Sequence, residues 1–223
     1  MAGGAILERR AVVARILKDR GDLLLVTGLG STSWDAAANG QVLAIAPAGG
    51  TVYVGGYFSH IGGQPRGSLA ELDATSAAAT AWNPSANAVV LSFALTGSRL
   101  YAGGDFSTMN GLPRGGMAAF DRATGSLAPF NPALTRGTGS LPGVTGIAAD
   151  GGTIYAAGDF DQAGGAPRMG VAALDAPTGA VQSWEAHLNE RGRALAVADG
   201  TVYVGGLFYS VGGVTRSNLA ALD

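Results

Sequence analysis

The chain has 223 residues, of which 47% are apolar and 13% are charged, and its net charge is -2. High hydrophobicity with a low net charge excludes an intrinsically disordered chain, and the balanced charge argues against a nucleic-acid partner. The absence of cysteine excludes disulfides, thiolate metal sites and cysteine nucleophiles.

The first 28 residues form a segment that does not recur later in the chain. Ala5 to Arg20 is predicted to be a helix, because apolar residues fall on one side at helical spacing. These residues are Ile6, Val13, Ile16 and Leu17. Gly21 ends the helix, and the short apolar run from Asp22 to Thr27 predicts a buried strand.

We predict neither a membrane-spanning helix nor a signal peptide in this sequence. No apolar run reaches the roughly 18 residues that a membrane-spanning helix needs. Glu8, Arg9 and Arg10 stand where a signal peptide would place its apolar segment. We therefore expect no membrane span, and any export signal would lie outside this chain.

From Trp34 onward the chain is organised by a repeat that occurs four times. The stretch TVYVGGYFSHIGGQPRGSLAELD, from Thr51 to Asp73, is followed by three related stretches, and their shared positions are spaced by 48, 54 and 48 residues. The anchors are Tyr53, Tyr101, Tyr155 and Tyr203; Arg66, Arg114, Arg168 and Arg216; and Asp73, Asp121, Asp175 and Asp223. An aromatic residue follows three of the aspartates, at Trp82, Phe130 and Trp184, and Trp34 holds the same place before the first unit.

Each unit contains four candidate strands separated by turn signals. In the first unit they are Val42 to Ala46, Thr51 to Tyr57, Ser68 to Asp73 and a segment that begins at Thr80. Four short strands in 40 to 50 residues are typical of a propeller blade. We predict an all-β fold, a four-bladed β-propeller preceded by an N-terminal helix and strand over residues 1–33. The predicted blades lie around residues 42–84, 90–132, 144–186 and 194–223.

The ring is predicted to close through its two ends. The last unit stops after its third strand, while residues 34–38 occupy the place of a fourth strand with no blade before it. Pairing of the segment around Trp34 beside Ser217 to Asp223 would close a monomeric ring. The alternative is that four blades are part of a larger propeller, completed by a longer chain or by a dimer.

The repeat resembles a known bacterial family. Tyr-x-Gly-Gly-x-Phe, Gly-Gly-x-x-Arg, Leu-Ala-x-Leu-Asp and Trp-Asn-Pro follow one another between Val52 and Pro84, and most of them recur in register. This pattern is similar to the delta-sixty type β-propeller repeat. The resemblance implies a propeller and a secreted or cell-surface location, without implying a reaction.

A second resemblance concerns the segment from Glu8 to Ala38, which ends in VTGLGSTSWDAAA. It resembles the opening of the pyrimidine-binding domain of thiamine-diphosphate-dependent sulfopyruvate and phosphonopyruvate decarboxylases. The diphosphate-binding Gly-Asp-Gly motif of those enzymes is missing, because Gly21, Gly104 and Gly158 lead through Asp into Leu or Phe. We therefore expect no cofactor and at most a fragment of such an enzyme.

The recurrent residues favour a structural role over a catalytic one. An arginine and an aspartate kept in every blade suit blade packing, where the guanidinium satisfies carbonyls or a carboxylate between strands. The glycine pairs, such as Gly55-Gly56, lie inside strand patterns and indicate bulges or a close approach of the neighbouring blade, not a phosphate-binding loop.

Catalytic and metal sites receive little support from the sequence. Asp105, Asp159, Asp161 and Asn110 offer oxygen ligands for calcium, but the equivalent positions elsewhere hold Tyr57 and Leu207, so no metal site is predicted. His60 occupies a variable turn position, and no serine nucleophile elbow accompanies His60 and His187.

A binding function is sought where the units differ. The third unit is six residues longer, near Thr135 to Gly143, and variable loops on a rigid scaffold commonly carry binding sites. The candidate binding residues are Thr135, Arg136, Thr138 and Ser140. We expect a non-catalytic scaffold or binding module for protein or carbohydrate. The alternatives are an enzyme fragment related to the decarboxylases and a hydrolase that uses the propeller channel.

Overall fold

The computed structural model describes residues 33–137 and 141–223 in full, together with the backbone of three strands before them. Those strands form an antiparallel sheet of β1 (Val13–Ile16), β2 (Leu23–Thr27) and β3 (Gly30–Ser31). Nowhere in the part of the chain that the structure describes is there a helix that could cross a membrane.

The N-terminal sheet corrects one prediction and confirms another. Strand β1 pairs with β2, so the helix predicted from Ala5 to Arg20 is wrong at residues 13–16, and its remaining positions lie outside the described residues. A short apolar run does not distinguish helix from strand by periodicity alone, and the β-branched Val13 and Ile16 favour the strand. Strand β2 confirms the strand predicted from Asp22 to Thr27.

Four blades of the same design follow. Each blade has a sheet of three antiparallel strands and a hairpin of two short strands, each two residues long. Blade 1 contains β4 (Gln41–Pro47), β5 (Thr51–Tyr57), β6 (His60–Ile61), β7 (Gln64–Pro65) and β8 (Leu69–Asp73). Blade 2 contains β9 (Val90–Leu95), β10 (Arg99–Gly104), β11 (Thr108–Met109), β12 (Leu112–Pro113) and β13 (Met117–Asp121). Blade 3 contains β14 (Gly143–Asp150), β15 (Thr153–Asp159), β16 (Gln162–Ala163), β17 (Ala166–Pro167) and β18 (Val171–Asp175). Blade 4 contains β19 (Gly192–Ala198), β20 (Thr201–Gly206), β21 (Ser210–Val211), β22 (Val214–Thr215) and β23 (Leu219–Leu222).

The predicted fourth strand is reduced, in the first three units, to a single bridge beside the third strand. In blade 1 this bridge joins Leu72 and Ala79, and the Thr80 amide donates to the Glu71 carbonyl at 2.9 Å. Corresponding bridges occur in blades 2 and 3. The chain then leaves the sheet through the linker aromatic residue, Trp82 in the first unit.

The glycine pairs lie at bulges, as predicted. The pairing register between β4 and β5 shifts between Val42 and Ala44, opposite Gly55 and Gly56. A Cβ on Gly56 would lie 2.0 Å from the Gln41 carbonyl oxygen in the bulge. A Cβ on Gly55 would instead lie 2.7 Å from a methyl of Val90 in the next blade. Gly56 is therefore required by the bulge within the blade, and Gly55 by the close packing of the next blade.

The hydrophobic core lies between successive blades. One face of blade 1, including Tyr53 and Leu69, packs on Leu100, Phe106 and Phe120 of blade 2. The same arrangement joins blade 2 to blade 3 and blade 3 to blade 4. The first strands of consecutive blades contact one another in chain order, which places them at the centre of the arc.

The predicted closure between the two ends is not formed among the residues that the structure describes. Strand β23 pairs with β20, and the Trp34 indole N–H donates to the Asp73 carbonyl of blade 1 at 3.2 Å. Trp34 therefore lies on blade 1, in the position relative to that blade that Trp82 has relative to blade 2.

Candidate functional site

The recurrent arginines bind backbone carbonyls rather than the recurrent aspartates. Arg66 donates from Nη1 to the Pro65 carbonyl at 2.7 Å and from Nη2 to the Thr80 carbonyl at 2.6 Å. Arg114 and Arg168 make the equivalent two bonds in blades 2 and 3. Each guanidinium thus ties the hairpin of a blade to the linker that follows it, which leaves it unsuited to contact a ligand.

The recurrent aspartates hold the turn after the third strand. Asp73 Oδ1 accepts hydrogen bonds from the Thr75 and Ser76 amides, at 3.0 and 2.7 Å, and from the Ser76 hydroxyl. These bonds lower the pKa of Asp73, with the Ser76 amide as the largest cause. Asp121 and Asp175 hold the corresponding turns, so the anchors belong to the frame of the blade.

A second set of repeated anchors escaped the sequence reading. The side-chain oxygen of Asn39 accepts from the Ser59 and His60 amides, and Asn87 and Asn189 do the same in blades 2 and 4. Each asparagine stands 14 residues before the tyrosine of its unit, and this spacing was the available signal. In the third unit Thr135 takes this place, because its backbone pairs with Gln162. Thr135 is therefore part of the frame, and the six-residue enlargement lies after it.

The residue after each glycine pair, or after Ala157-Gly158 in the third unit, is accessible and differs from unit to unit. It is Tyr57 in blade 1, Asp105 in blade 2, Asp159 in blade 3 and Leu207 in blade 4. Tyr57 and Leu207 are exposed, and the two aspartates line a common cavity. Because the four positions are equivalent, they lie at the same end of the blades.

The cavity, which we name the arginine groove, measures about 480 Å³ and lies where the first strands of blades 2, 3 and 4 meet. Three arginines and two aspartates supply its charge, and Leu91 and Leu141 supply apolar surface. The charged residues are Asp105, Arg136, Asp159, Arg191 and Arg193. Sequence reasoning did not single out Arg191 and Arg193. Alignment of the four units would have indicated Arg193, because the equivalent positions hold Leu43, Leu91 and Thr145.

The enlarged loop of the third unit contributes directly to the groove. Arg136 Nη1 lies 2.8 Å from Asp159 Oδ2, and the Gly137 amide donates to Asp161 Oδ2 at 2.7 Å. Leu141 and Gly143 line the groove at the other end of the loop. Thr138 and Ser140, the two remaining candidate residues, lie outside the described residues.

The two aspartates of the groove have different electrostatic surroundings. Asp159 Oδ2 contacts both Arg136 and Arg191, the latter at 3.1 Å. Asp105 has no ion pair within the described part of the chain, and burial followed by the Asp159 charge raises its pKa. Its carboxylate lies against Gly143, where a Cβ would be 2.6 Å from Oδ1. A ligand in the groove would therefore meet one carboxylate that contacts two arginines, a second carboxylate whose pKa is raised, and the guanidinium groups.

The structure separates the other candidate residues. Asn110 accepts from the Ser85 amide away from Asp105 and Asp159, and no group of three metal-ligating side chains occurs in the ranges 33–137 and 141–223. His60 is exposed, with Nδ1 3.2 Å from the Ser59 hydroxyl, and His187 contacts Glu185. The segment that carries the decarboxylase resemblance lies mostly outside the described residues, so that resemblance stays a prediction.

Comparisons with known proteins agree with this geometry. A family described as "Domain of unknown function (DUF5122) beta-propeller" matches residues 50–77 and 198–222. No curated protein matches the chain. The chain is a β-propeller repeat protein.

Three solved structures are similar in fold. The computationally designed Ika4 protein is 12% identical, with a TM-score of 0.53 over 81% of this chain and 89% of its own. The designed Ika8 protein is 12% identical, with a TM-score of 0.60 over 94% and 54%. BamB from Moraxella catarrhalis is 19% identical, with a TM-score of 0.56 over 98% and 56%. The chain thus spans about half the length of Ika8 and BamB, and at these identities the likeness shows the fold alone.

Proposed function

We propose that this protein is a non-catalytic binding module that takes an acidic segment of a partner protein into the arginine groove. The observation that carries the proposal is the convergence of Arg136, Arg191 and Arg193 on one cavity, against two carboxylates among its described lining residues. A guanidinium is a planar fork of donors that fits a carboxylate in two parallel hydrogen bonds.

The charges of the groove leave capacity for an added anion. Arg136 and Arg191 share the single carboxylate of Asp159, and the exposed Arg193 makes no ion pair within the described residues. Leu141 is exposed at the edge of the groove, and Met169 is exposed in the adjoining cavity, which also contains Arg136. Arginine and methionine are enriched in protein interfaces, so this mixture favours a peptide segment as the ligand.

Binding of a fluorescein-labelled polyglutamate peptide, followed by fluorescence anisotropy, tests the proposal. We expect binding that weakens with added salt and that falls about 10- to 100-fold in Arg191→Ala and Arg193→Ala, which each lose a charge-assisted contact of about 1.5–3 kcal/mol. Arg216→Ala, an exposed arginine outside the groove, is the matched control and should leave the affinity unchanged.

Two results would overturn the acidic-segment proposal. Equal binding of a polylysine peptide would show that the groove does not select an anion. Binding of an oligogalacturonate in place of the peptide would make the ligand an anionic carbohydrate.

A glycoside hydrolase is the second candidate function, because Asp105 and Asp159 line the same groove in different surroundings. Glycosidases use two carboxyl groups, one of them an acid with a raised pKa. Burial and the Asp159 charge raise the pKa of Asp105, and two arginines keep Asp159 compensated. Release of reducing ends from polygalacturonate that is lost in Asp105→Asn would support this candidate, and no release would count against it.

A further inference from the structure

The junction between blades 1 and 2 contains a second cavity, which we name the Trp82 cavity. It measures about 440 Å³, which lies within the range of about 300–1,000 Å³ that small-molecule sites occupy. Tyr53 of blade 1, the linker residue Trp82 and the turn that follows β13 line it. The Trp82 cavity shares no lining residue with the arginine groove, so the two are separate places on the molecule.

Two charged residues distinguish this junction from the equivalent positions in the other units. Glu71 stands where the other three units have alanine, and Arg122 stands where the turns of blades 1 and 3 have alanine. These alanines are Ala119, Ala173 and Ala221 for Glu71, and Ala74 and Ala176 for Arg122. The frame of the blade therefore requires neither charge, and both of them line the cavity.

The junction between blades 2 and 3 is bridged by side chains where the first junction has space. Arg99 Nη1 donates to the Ala176 and Pro177 carbonyls, at 3.0 and 2.8 Å. The Tyr101 hydroxyl donates to the same Ala176 carbonyl at 2.9 Å. In blade 1 the position of Arg99 holds Thr51, which is too short to cross the junction in this way.

The polar groups of the Trp82 cavity are held in place and keep unused hydrogen-bonding capacity. Glu71 Oε2 accepts from the Thr80 hydroxyl at 2.8 Å, and Arg122 Nη1 donates to two backbone carbonyls at 2.8 and 3.1 Å. The Tyr53 hydroxyl interacts with both Glu71 and Arg122. A carboxylate accepts about four hydrogen bonds and a guanidinium donates five, so both groups can also bind a ligand.

Trp82 gives the cavity a fixed aromatic surface. Its indole N–H donates to the Gly125 carbonyl at 2.8 Å. Tyr53 and Phe120 pack edge-on with the ring, at centroid distances of 5.4 and 5.0 Å. Because the N–H is already used, Trp82 offers a ligand only the apolar surface of its ring. The cavity thus combines one apolar surface with hydrogen-bonding groups of both kinds.

We propose that the Trp82 cavity binds a neutral sugar residue of a carbohydrate. A sugar ring has apolar C–H groups that pack on an aromatic surface, and hydroxyls that donate to Glu71 and accept from Arg122. The two opposite charges disfavour an ion, since an anion would face Glu71 and a cation would face Arg122. Asp121 also lines the cavity, but its Oδ1 is occupied by the turn that it holds.

Tryptophan fluorescence can report on this cavity alone. The chain has three tryptophans, and Trp34→Phe with Trp184→Phe leaves Trp82 as the only one. Phe130 already occupies a linker position, so phenylalanine fits there. We expect a saturable change in Trp82 emission with at least one of the neutral trisaccharides cellotriose, maltotriose and chitotriose. Arg191→Ala in the same background is the control, and it should leave this affinity unchanged because Arg191 belongs to the arginine groove.

Glu71→Ala and Arg122→Ala test the location, because each introduces the residue that other units carry. Each should weaken binding about 10- to 100-fold, since a hydrogen bond with a charged group is lost. Glu71→Ala is the decisive variant, as Arg122 also holds two backbone carbonyls. No response to any of the three sugars, or an unchanged affinity in Glu71→Ala, would overturn the proposal. So would tighter binding of glucosamine or glucuronate than of glucose, because it would show that the cavity selects an ion.

Discussion

Substitution of Gly104 by alanine tests whether the glycine pairs are required by the bulge in each blade. An alanine Cβ would lie 2.1 Å from the Val89 carbonyl oxygen and 3.0 Å from the Val90 Cα. Ordinary contacts lie at about 3.5 Å or more, and the clashing atoms are backbone, so β9 and β10 must move apart. That movement also weakens the 3.0 Å hydrogen bond from the Asp105 amide to the Val89 carbonyl.

The expected loss follows from these two contributions. Overpacking that shifts the backbone costs about 1–3 kcal/mol, and a weakened backbone hydrogen bond adds about 1 kcal/mol. The unfolding free energy should therefore fall by about 2–4 kcal/mol, which corresponds to a melting temperature lower by roughly 4–16 °C in a chain of this size. Urea denaturation followed by tryptophan fluorescence measures it.

Gly97→Ala is the matched control in the same blade. Its Cβ would meet no atom within 4 Å, and its backbone is outside the left-handed region. We expect an unchanged stability or a gain of up to about 1 kcal/mol, because alanine restricts the unfolded chain. Equal effects of the two substitutions would refute the assignment of Gly104 to the bulge.

Four further predictions follow from individual contacts. Arg66→Ala should lower the unfolding free energy by about 1–3 kcal/mol, because two carbonyls lose a charged donor. Arg216→Ala, at the exposed equivalent position, should change it by less than about 0.5 kcal/mol. Equal losses would contradict the assignment of Arg66 to the two carbonyls. Trp82→Phe should cost about 1 kcal/mol in urea denaturation, because the ring is kept but the 2.8 Å bond to the Gly125 carbonyl is lost. Because the pKa of Asp105 is raised in the folded protein, this residue contributes stability below its unfolded pKa, and that contribution is lost as the pH rises through the folded pKa. Asp105→Asn should therefore be more stable than wild type at pH 7, and the difference should vanish in acid. A difference that does not depend on pH would contradict the raised pKa. Thiamine diphosphate with magnesium should leave the melting temperature unchanged, and an increase would revive the decarboxylase resemblance.

The repeat allowed the fold to be predicted because each blade is specified locally. Strand β5 has the bounds that alternation in TVYVGGY indicated, and the bulge lies at the glycine pair. The sequence also indicated the Arg66 and Asp73 positions, but not their partners. A guanidinium can donate to carbonyls or to a carboxylate, and the sequence does not distinguish the two. The prediction of an N-terminal helix is wrong at residues 13–16, because a short apolar run does not distinguish a helix from a strand by its periodicity.

The candidate site was only partly predictable, because its residues come from three units and meet through the packing of blades. The enlarged loop was recognised from its length, and Arg136 does line the groove. Its contact with Asp159 depends on how blade 3 lies beside the loop, which no local pattern encodes. Arg193 belongs to no motif, and only alignment of the units shows a charge where the others have Leu or Thr.

The distribution of variable residues follows from the same frame. Arginines such as Arg66 tie the linkers, asparagines such as Asn39 hold the hairpins, and the glycine pairs fit the bulges, so these positions are fixed in most units. The residue that follows the bulge glycine is not fixed by these contacts, since it is Tyr57, Asp105, Asp159 and Leu207 in the four units. Differences between units therefore accumulate at one end of the blades, and at that end Asp105 and Asp159 meet the arginines of the longer loop and of blade 4. A propeller can thus change its ligand without changing its core, which is why the groove, and not the repeat, is the place to test for binding.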